Sequence, residues 1–259
     1  TDDEFVFVYT GRISHQKNVT ELIQSFLSME KSLALQSKVR LILAGPFDDI
    51  GVPYLGLKTR QGSYQQKILG LLTLLDVNNS ISYIGNLEVP DLQSLYNAGD
   101  CFVSISTHND EDFGMSAAEA LNCGLQVLLS DWAGYSSFYL GRSENGCDLV
   151  PVEFIEKKVI VNQSVLKKKM IIKVTEGKPD VSAREKLSKK SRDLYSTESV
   201  SSTLEKKLNT EKTQIQSFSL LWPRILATVT KNKMAPFRIE QGKYSDVYEM
   251  FYHLFCYNE

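Results

Sequence analysis

Residues 5–18 read Phe5-Val-Phe-Val-Tyr-Thr10-Gly11-Arg12-Ile-Ser-His-Gln-Lys17-Asn18, a run of β-forming residues followed by a glycine turn. The aromatic and β-branched residues predict a buried strand at Phe5–Thr10. Asn18 and Glu21 stand where the cap and the third residue of a helix belong, and an apolar stripe at helical spacing follows them. A strand, a turn and an amphipathic helix in this order form the repeating unit of an α/β fold.

The same alternation continues to about residue 152. We predict strands at Phe5–Thr10, Val39–Ala44, Ile81–Ile84, Cys101–Ser106, Gln126–Ser130 and Asp148–Val152. Helical patterns lie between them, after Asn18, at Gln65–Leu75, at Leu92–Ala98 and from Met115 to a terminating Gly124. Strands that alternate with helices predict a doubly wound parallel sheet, Rossmann-like, with helices on both faces.

A second stretch, Glu111-Asp-Phe-Gly-Met-Ser-Ala-Ala-Glu119, places two carboxylates eight positions apart around a loop that becomes a helix. Phe113–Ser116 would open that helix, so their N–H groups lack intrahelical partners and direct the positive end of the helix dipole toward an anion such as a diphosphate. A rise of about 6 Å from Met115 carries Glu119 toward neighbouring ribose hydroxyls. Glu111 stays in the loop, where it can meet a sugar.

Two cations follow the first strand at the same edge of the predicted sheet. Arg12 and Lys17 flank the turn that Gly11 begins, and both can reach one diphosphate. The chain has no G-x-G-x-x-G fingerprint and no Walker A motif, which excludes the usual dinucleotide and nucleoside-triphosphate cradles. Taken alone, Arg12 or Lys17 fits an ordinary solvated loop better than a ligand site. With Glu111–Glu119 at the same edge, a diphosphate site is the better interpretation.

Charge divides the 259-residue chain into two parts. Residues 1–150 carry 9 Lys/Arg and 18 Asp/Glu, whereas residues 151–259 carry 20 and 13. We therefore predict a nucleotide-sugar-binding domain at 1–155 and a basic, mainly helical extension at 156–259. The basic part fits an anionic membrane or an acidic partner, and equally a solvated pair of basic helices; we expect no nucleic-acid partner.

Within the extension, a charged helix is predicted between about 182 and 212. Apolar residues resume at Phe218–Val229, and aromatic residues at Tyr244–Phe255 recur at helical spacing. The latter pattern predicts an amphipathic helix that covers another apolar surface.

The sequence also bears on the cellular compartment. No apolar run approaches the about 18 residues that span a bilayer, and no signal-peptide pattern begins the chain. The cysteines show no CxxC spacing, which favours a reducing cytoplasm; they are Cys101, Cys123, Cys147 and Cys256. Because the chain starts Thr1-Asp-Asp-Glu, without an initiator Met, we expect it to be a piece of a longer protein.

These motifs, in this order, resemble the C-terminal, donor-binding half of retaining GT-B glycosyltransferases of the family-4 type. The resemblance covers most of residues 5–152. It rests on Gly11-Arg12 with Lys17, Leu43-Ala-Gly45, Tyr83-Ile-Gly85-Asn86, Glu111-Asp-Phe-Gly through Glu119-Ala, and Gly124-Leu-Gln-Val-Leu-Leu-Ser-Asp131.

The resemblance implies a role for each matching residue. Arg12 and Lys17 would stabilise the departing diphosphate, and Glu111 would contact the transferred sugar, so these three are the expected catalytic residues. The expected donor-binding residues are Gly11, Gly85, Asn86, Phe113, Gly114, Met115, Ser116 and Glu119. The resemblance implies no metal ion and no cofactor beyond the nucleotide-sugar substrate. The resemblance further implies an N-terminal GT-B domain, which would bring the unknown acceptor and which we expect to be missing from this chain; the basic extension would pack back on the domain at 1–155 or on that absent domain.

Our sequence-based hypothesis is therefore an NDP-sugar-binding domain of a retaining hexosyltransferase, in the cytoplasm or peripheral at the inner face of a membrane. The acceptor would be a glycan, a lipid-linked molecule or a protein. The alternative is a non-catalytic nucleotide-sugar-binding or scaffold module that partners an active transferase. A glycosidase is disfavoured, because Glu111 and Glu119 share one loop-helix segment and do not flank a scissile bond from opposite sides.

Overall fold

The computed structural model describes much of the chain up to residue 210. The described residues are 4–33, 38–48, 63–75, 80–108, 111–138, 146–155 and 158–210. The chain divides into two compact units. The first comprises Thr1–Asp49 and Arg60–Val200 and contains all the strands described below. The second comprises Ile50–Thr59 and Ser201–Glu259, of which the described part, residues 201–210, is helical.

A six-stranded parallel sheet forms the centre of the first unit. Its strands are β1 (Glu4–Thr10), β2 (Lys38–Ala44), β3 (Ile81–Tyr83), β4 (Cys101–Ser104), β5 (Gln126–Ser130) and β6 (Cys147–Val150). They lie in the order β3-β2-β1-β4-β5-β6, so the strand order reverses between β1 and β4. This arrangement confirms the predicted doubly wound, Rossmann-like sheet.

Helices cover both faces of the sheet, and a further helix follows them. They are α1 (Val19–Leu33), α2 (Ser63–Leu75), α3 (Val89–Ala98), α4 (Met115–Asn122), α5 (Gln163–Glu176), α6 (Val181–Tyr195) and α7 (Thr197–Thr210). The apolar residues of α1, α2 and α5 join one core cluster, and those of α3, α4 and α6 join the other. The period-two alternation of β1 supplies both clusters, since Phe7 and Tyr9 face the first and Val8 faces the second.

Ion pairs concentrate at the amino edge of the sheet, where the strands begin. Glu4 forms a bidentate pair with Arg40, with distances of 2.9 and 3.1 Å. Asp148 contacts Lys173 at 2.7 Å and Lys169 at 3.2 Å. These pairs join the first residues of one strand to a neighbouring strand or to α5.

Asp100 adds a further polar link at this edge. Its carboxylate accepts a hydrogen bond from the Val6 N–H at 2.8 Å and lies 3.7 Å from the Lys178 ammonium. Because Asp100 is buried, the paired N–H and the nearby cation offset the cost of removing its carboxylate from water.

Several sequence-based boundaries require correction. β4 ends at Ser104, before the predicted end at Ser106, and α3 begins at Val89, before the predicted start at Leu92. The strand predicted at Asp148–Val152 is interrupted at Pro151, and the chain continues as an antiparallel hairpin of β7 (Val152–Ile155) with β8 (Lys158–Val161). Proline has no N–H to donate to a strand ladder, which explains why the pairing stops there.

The charged helix predicted at 182–212 is two helices, α6 and α7, which break at Ser196. The Ser196 hydroxyl accepts from the Ser199 N–H at 3.2 Å and so begins α7. The patterns predicted at Phe218–Val229 and Tyr244–Phe255 lie outside the described residues. In the part of the chain that the structure describes, no helix combines the length and apolar character that a bilayer span requires.

Candidate functional site

A cavity of about 630 Å³ opens at the carboxyl edge of the sheet, where the strand order reverses between β1 and β4. Open α/β sheets bind ligands at such a reversal, because the loops diverge there and leave a crevice. The walls of this pocket come from the loops after β1, β2 and β3 and from the loop that leads into α4. The lining residues are Thr10, Gly11, Arg12, Lys17, Ala44, Gly45, Pro46, Asn86, Leu87, Leu92, Glu111, Asp112, Phe113, Gly114, Met115, Ser116 and Glu119.

Two glycines let the loops after β1 and β2 approach each other closely. The Gly11 N–H donates to Ala44 O at 3.0 Å, and the Gly45 N–H donates to Gly85 O at 2.7 Å. A Cβ atom added to Gly45 would lie 2.0 Å from the Gly11 carbonyl oxygen, and both residues have positive φ, 135° and 139°. A larger residue at position 45 would therefore separate the loops and reshape this wall of the pocket.

Arg12 is the more exposed of the two predicted cations. Its guanidinium lies 2.5 Å from Asp48, which a short parallel bridge between Ile13 and Phe47 carries to this position. Because the Arg12 side chain is 54% exposed, solvent screens this pair, and the guanidinium can turn toward a ligand at little cost.

Lys17 is held more firmly. Its ammonium group pairs with the carboxylate of Glu111, and the two side chains are only 18% and 8% exposed. A pair this well buried is stronger than a surface pair, because the low local dielectric strengthens the attraction. The first carboxylate of the loop-helix segment and the second predicted cation are therefore direct neighbours.

Asn18 ties the loop after β1 to the loop after β4. It follows the 3-10 turn His15–Lys17 in the left-handed region, with φ of 53°. Its side-chain amide donates to Ile105 O and to the Thr107 hydroxyl, both at 2.9 Å. These bonds fix the position of Lys17 across the reversal of strand order.

The start of α4 presents backbone N–H groups to the pocket. Gly114 is the N-cap, with φ of 86°, and has no side chain with which to cap the helix. The N–H groups of Met115 and Ser116 belong to the first turn, which has no intrahelical acceptors. A Cβ atom at Gly114 would lie 2.4 Å from the ring of Tyr135, so only glycine fits both the backbone and the packing here.

Phe113 anchors the loop before α4 through aromatic packing. Its ring centroid lies 5.0 Å from that of Phe138 and 5.6 Å from that of Tyr195. Phe138 and Tyr195 also pack on each other, with centroids 5.1 Å apart. Tyr195 is the last residue of α6. This helix, which lies beyond the domain boundary predicted at residue 155, therefore supports the wall of the pocket.

Glu119, in the second turn of α4, has a buried partner. The Tyr96 hydroxyl lies 3.0 Å from Glu119 Oε2 and 2.6 Å from the Thr10 hydroxyl. Burial raises the pKa of Tyr96, so its hydroxyl remains protonated at physiological pH. The carboxylate of Glu119 is thus fixed by a neutral donor on α3, which itself contacts the end of β1.

These groups together can bind an anion beside a polyol. Arg12, Lys17 and the helix N-terminus supply positive potential, while Glu119 supplies an acceptor for hydroxyl groups. The cavity is also large enough for a small ligand, since such sites measure about 300–1,000 Å³.

The structure brings nearly all the predicted site residues to one cavity. Those that line it are Gly11, Arg12, Lys17, Asn86, Glu111, Phe113, Gly114, Met115, Ser116 and Glu119. Gly85 does not line it; its carbonyl instead holds the loop that contains Gly45. The roles of these residues toward a ligand stay predictions.

Sequence reasoning missed three polar residues of the site: Thr10, Asp48 and Tyr96. Thr10 is the last residue of β1 and Asp48 lies in the loop after β2, so the strand-end rule applied to Arg12 also indicates them. Tyr96 carries no such signal, because it lies beside Leu95 on the apolar face of α3 and there fits a core residue.

Among the described residues, no group of three or more His, Cys, Asp or Glu side chains is arranged to hold a metal ion. Metal-independent chemistry therefore stays a prediction. His108, which precedes the acidic loop, uses its carbonyl to accept from the Trp132 indole N–H at 3.1 Å and from the Glu111 N–H at 3.2 Å. Its backbone thus shapes the loop.

Comparison with known proteins gives a consistent result. The profile of the family described as "Glycosyl transferases group 1" matches residues 1–152. Lipopolysaccharide 1,2-N-acetylglucosaminetransferase of Salmonella typhimurium is 29% identical over 139 residues, which are 54% of this chain and 33% of that protein. Alpha-monoglucosyldiacylglycerol synthase of Streptococcus pneumoniae is 25% identical over 127 residues, 49% of this chain and 24% of that protein. The chain thus spans only a third or less of the length of these relatives.

Solved structures share the fold at low sequence identity. Anabaena HepE, crystallised with UDP and glucose, superposes with a TM-score of 0.58 and 18% identity over 80% of this chain and 49% of that one. Sucrose-phosphate synthase of Thermosynechococcus elongatus gives a TM-score of 0.56 and 20% identity over 85% of this chain and 47% of that one.

Proposed function

The chain belongs to the group 1 glycosyl transferases, and from that premise we propose that its pocket binds the nucleoside-diphosphate sugar for retaining transfer of a hexose. One observation carries the proposal: Arg12, Lys17, the N-terminus of α4 and Glu119 line one cavity at the reversal of strand order. The UDP complexes of HepE and of a pneumococcal O-GlcNAc transferase, which share the fold, support a nucleotide sugar as the ligand.

The diphosphate would bind between the loop after β1 and the start of α4. Charge-assisted hydrogen bonds from Arg12 and Lys17 would contribute about 1.5–3 kcal/mol each. The N–H groups at the start of α4 would add about 0.3–1 kcal/mol through the helix dipole. To reach the ligand, Arg12 turns from Asp48, and Lys17 shares its protons between Glu111 and a phosphate oxygen.

The remaining groups would recognise the two ends of the ligand. Glu119 lies about 6 Å along α4 from Met115, the separation between a phosphate and the ribose hydroxyls. Asn86 and Leu87, in the loop after β3, would lie against the nucleobase. Glu111 would contact hydroxyl groups of the transferred sugar once Lys17 shares its charge with the diphosphate.

Transfer would proceed by front-face displacement. An acceptor hydroxyl approaches the anomeric carbon on the face from which the diphosphate leaves, a new C–O bond forms, and the bond from the anomeric carbon to the phosphate oxygen breaks. The acceptor proton passes to that oxygen. Arg12, Lys17 and the first N–H groups of α4 would stabilise the negative charge as it grows on the leaving group. The reaction needs no covalent nucleophile and no metal ion.

We further propose that the other half of the transferase brings the acceptor. The names of two relatives refer to lipopolysaccharide and to a glucosyldiacylglycerol, which supports a lipid-linked acceptor. The excess of Lys and Arg in residues 151–259 would favour contact with the anionic inner face of a membrane from the cytoplasm.

Isothermal titration calorimetry with UDP, GDP and ADP tests the donor site. We expect Arg12→Ala and Lys17→Ala each to weaken binding of the preferred nucleotide by about 10-fold, since each removes a charge-assisted hydrogen bond. Lys178→Ala, which removes a cation at the opposite edge of the sheet, is the matched control and should bind as the wild type does. Undiminished binding in both pocket variants, or no binding by the wild type, would contradict the proposal.

A further inference from the structure

The hydroxyl of Tyr96 is surrounded by oxygen atoms from two other elements. Tyr96 is 2% exposed, and its hydroxyl lies 2.6 Å from Thr10 Oγ1, 3.0 Å from Glu119 Oε2 and 3.4 Å from the Ser116 carbonyl oxygen. Thr10 ends β1, while Ser116 and Glu119 belong to α4. The phenol therefore joins the two elements between which the pocket opens.

The chemistry of these groups fixes the direction of the hydrogen bonds. A carboxylate only accepts, so Tyr96 donates its single proton to Glu119. The hydroxyl of Thr10 must then donate to Tyr96, and the bonds run from Thr10 through Tyr96 to Glu119. Polarisation along such a chain strengthens each bond, and burial excludes the water that would compete for it.

Tyr96 is also fixed at its backbone. Arg184 of α6 donates from NH2 to the Tyr96 carbonyl oxygen at 3.1 Å and from NH1 to the Gly99 carbonyl oxygen at 3.0 Å. These bonds satisfy carbonyls at the end of α3, where the regular helical donors run out; the Tyr96 carbonyl oxygen also accepts from the Gly99 N–H at 3.3 Å. The ring packs edge-on against Phe102, with centroids 6.3 Å apart. With its carbonyl and its hydroxyl both held, Tyr96 cannot follow Glu119 into another rotamer.

One consequence concerns the orientation of Glu119. Its side chain lines the pocket, while Oε2 accepts from Tyr96 behind it. A carboxylate held in this way meets a pair of ligand hydroxyls without first losing rotamer freedom, which lowers the entropic cost of binding. Without the hydrogen bond from Tyr96, Glu119 would bind the same hydroxyls more weakly and would discriminate less between ligands with and without them.

We propose that Tyr96 is the positioning residue for Glu119, and that its hydroxyl sets how strongly the pocket prefers a ribonucleotide to the same nucleotide without ribose hydroxyls. This inference rests on the proposed function, because it takes the diol that Glu119 meets to be the ribose of a nucleoside diphosphate.

The test compares a ribonucleotide with its dideoxy analogue in the wild type and in Tyr96→Phe. The ligands are the nucleotide among UDP, GDP and ADP that the wild type binds most tightly and its 2′,3′-dideoxy form, titrated by calorimetry. Tyr96→Phe keeps the buried ring and removes one hydrogen bond, so we expect about 5-fold weaker binding of the ribonucleotide and less than about 2-fold change for the dideoxy form. Thr10→Val, which removes the donor to Tyr96, should also lower the affinity for the ribonucleotide relative to that for the dideoxy form, by a smaller factor.

Tyr64→Phe is the matched control. Tyr64 is a buried tyrosine on the other face of the sheet, and its hydroxyl accepts from Thr20. Removal of the Tyr64 hydroxyl should leave the ratio of the affinities for the ribonucleotide and the dideoxy form unchanged. Equal weakening of both ligands by Tyr96→Phe, or no weakening, would overturn the positioning role while leaving the donor site intact. Absence of nucleotide binding by the wild type would overturn the proposed function and this inference together.

Discussion

The ammonium group of Lys17 is paired with the carboxylate of Glu111, although 94 positions separate the two residues in the sequence. Both side chains are largely buried, so each is the other's main electrostatic partner in a region of low dielectric. The pair joins the loop after β1 to the loop before α4 and sets the distance across the pocket. A diphosphate that binds there must share Lys17 with Glu111.

This pair should contribute to stability as a coupled unit. Lys17→Met leaves the Glu111 carboxylate buried without its cation, and we expect a loss of about 1–3 kcal/mol in the free energy of unfolding. Adding Glu111→Gln to Lys17→Met should recover at least about 1 kcal/mol relative to the sum of the single changes. Urea unfolding of the four proteins measures this coupling. The exposed Arg12–Asp48 pair is the comparison. The same set of single and double replacements at that pair should give a coupling energy of no more than about 1 kcal/mol. Additive losses at Lys17 and Glu111 would contradict the coupling.

Asp48 should compete with a bound nucleotide for Arg12. Asp48→Asn removes the competing charge, and we expect nucleoside-diphosphate binding to tighten by up to about 5-fold, because an exposed ion pair is worth about 1 kcal/mol or less. Glu185→Gln, which removes an exposed carboxylate on α6, controls for the change in net charge. Isothermal titration calorimetry of both variants measures the affinity for the nucleotide. Weaker binding by Asp48→Asn would contradict the prediction and show that the Asp48 carboxylate supports the site.

Gly114 should tolerate no side chain. Gly114→Ala combines an unfavourable backbone conformation with contact against the Tyr135 ring, and we expect a loss of about 2–4 kcal/mol in the free energy of unfolding. Gly70→Ala is the matched control: Gly70 lies inside α2, and an added Cβ would meet nothing within 4 Å. That change should be neutral or stabilising by up to about 1 kcal/mol. Denaturant unfolding compares the two, and an equal effect at both positions would refute the packing argument.

Asp148 should make stability depend on acid pH. Burial raises the pKa of this carboxyl group, but hydrogen bonds and charge from Lys173 and Lys169 lower it more, so that it lies below its ordinary value of 3.8. A carboxyl group with a depressed pKa in the folded state stabilises the fold above its unfolded pKa, and this contribution is lost as the pH falls through the folded value. Asp148→Asn should therefore destabilise the protein by about 1–3 kcal/mol at pH 7, with a smaller difference below about pH 4. Unfolding measured from pH 3 to pH 7 tests this, and a difference that does not change with pH would contradict it.

The sheet and most of the candidate site follow from local sequence. Runs such as Phe5–Thr10 and Gln126–Ser130 are β-forming and bounded by glycine or helical segments, so their strands were predicted to within one residue. Parallel strands place their following loops at one edge, which is why Arg12 and Glu119 could be assigned to one cavity before any contact was known.

Other features depend on contacts that sequence does not encode locally. The ion pair of Lys17 with Glu111 could not be predicted, because Asp112 and Glu119 are carboxylates of the same segment and were equally available as its partner. The hydroxyl of Tyr96 acts through the tertiary packing of α3 on α4, whereas its aromatic ring indicates only a core position. The break at Ser196 also lacks a local signal, because serine is common both inside helices and at their caps.

The ion pairs at the amino edge of the sheet lie at one pole of the domain, and the loops of the pocket lie at the other. Amino-acid replacements near Glu4, Asp100 or Asp148 should lower the cellular abundance of the protein while sparing what it recognises. Replacements among the loops at the opposite pole can alter recognition without unfolding the scaffold. The proposed donor preference of the pocket can therefore change through exchanges confined to these loops, while the strands that carry them stay as they are.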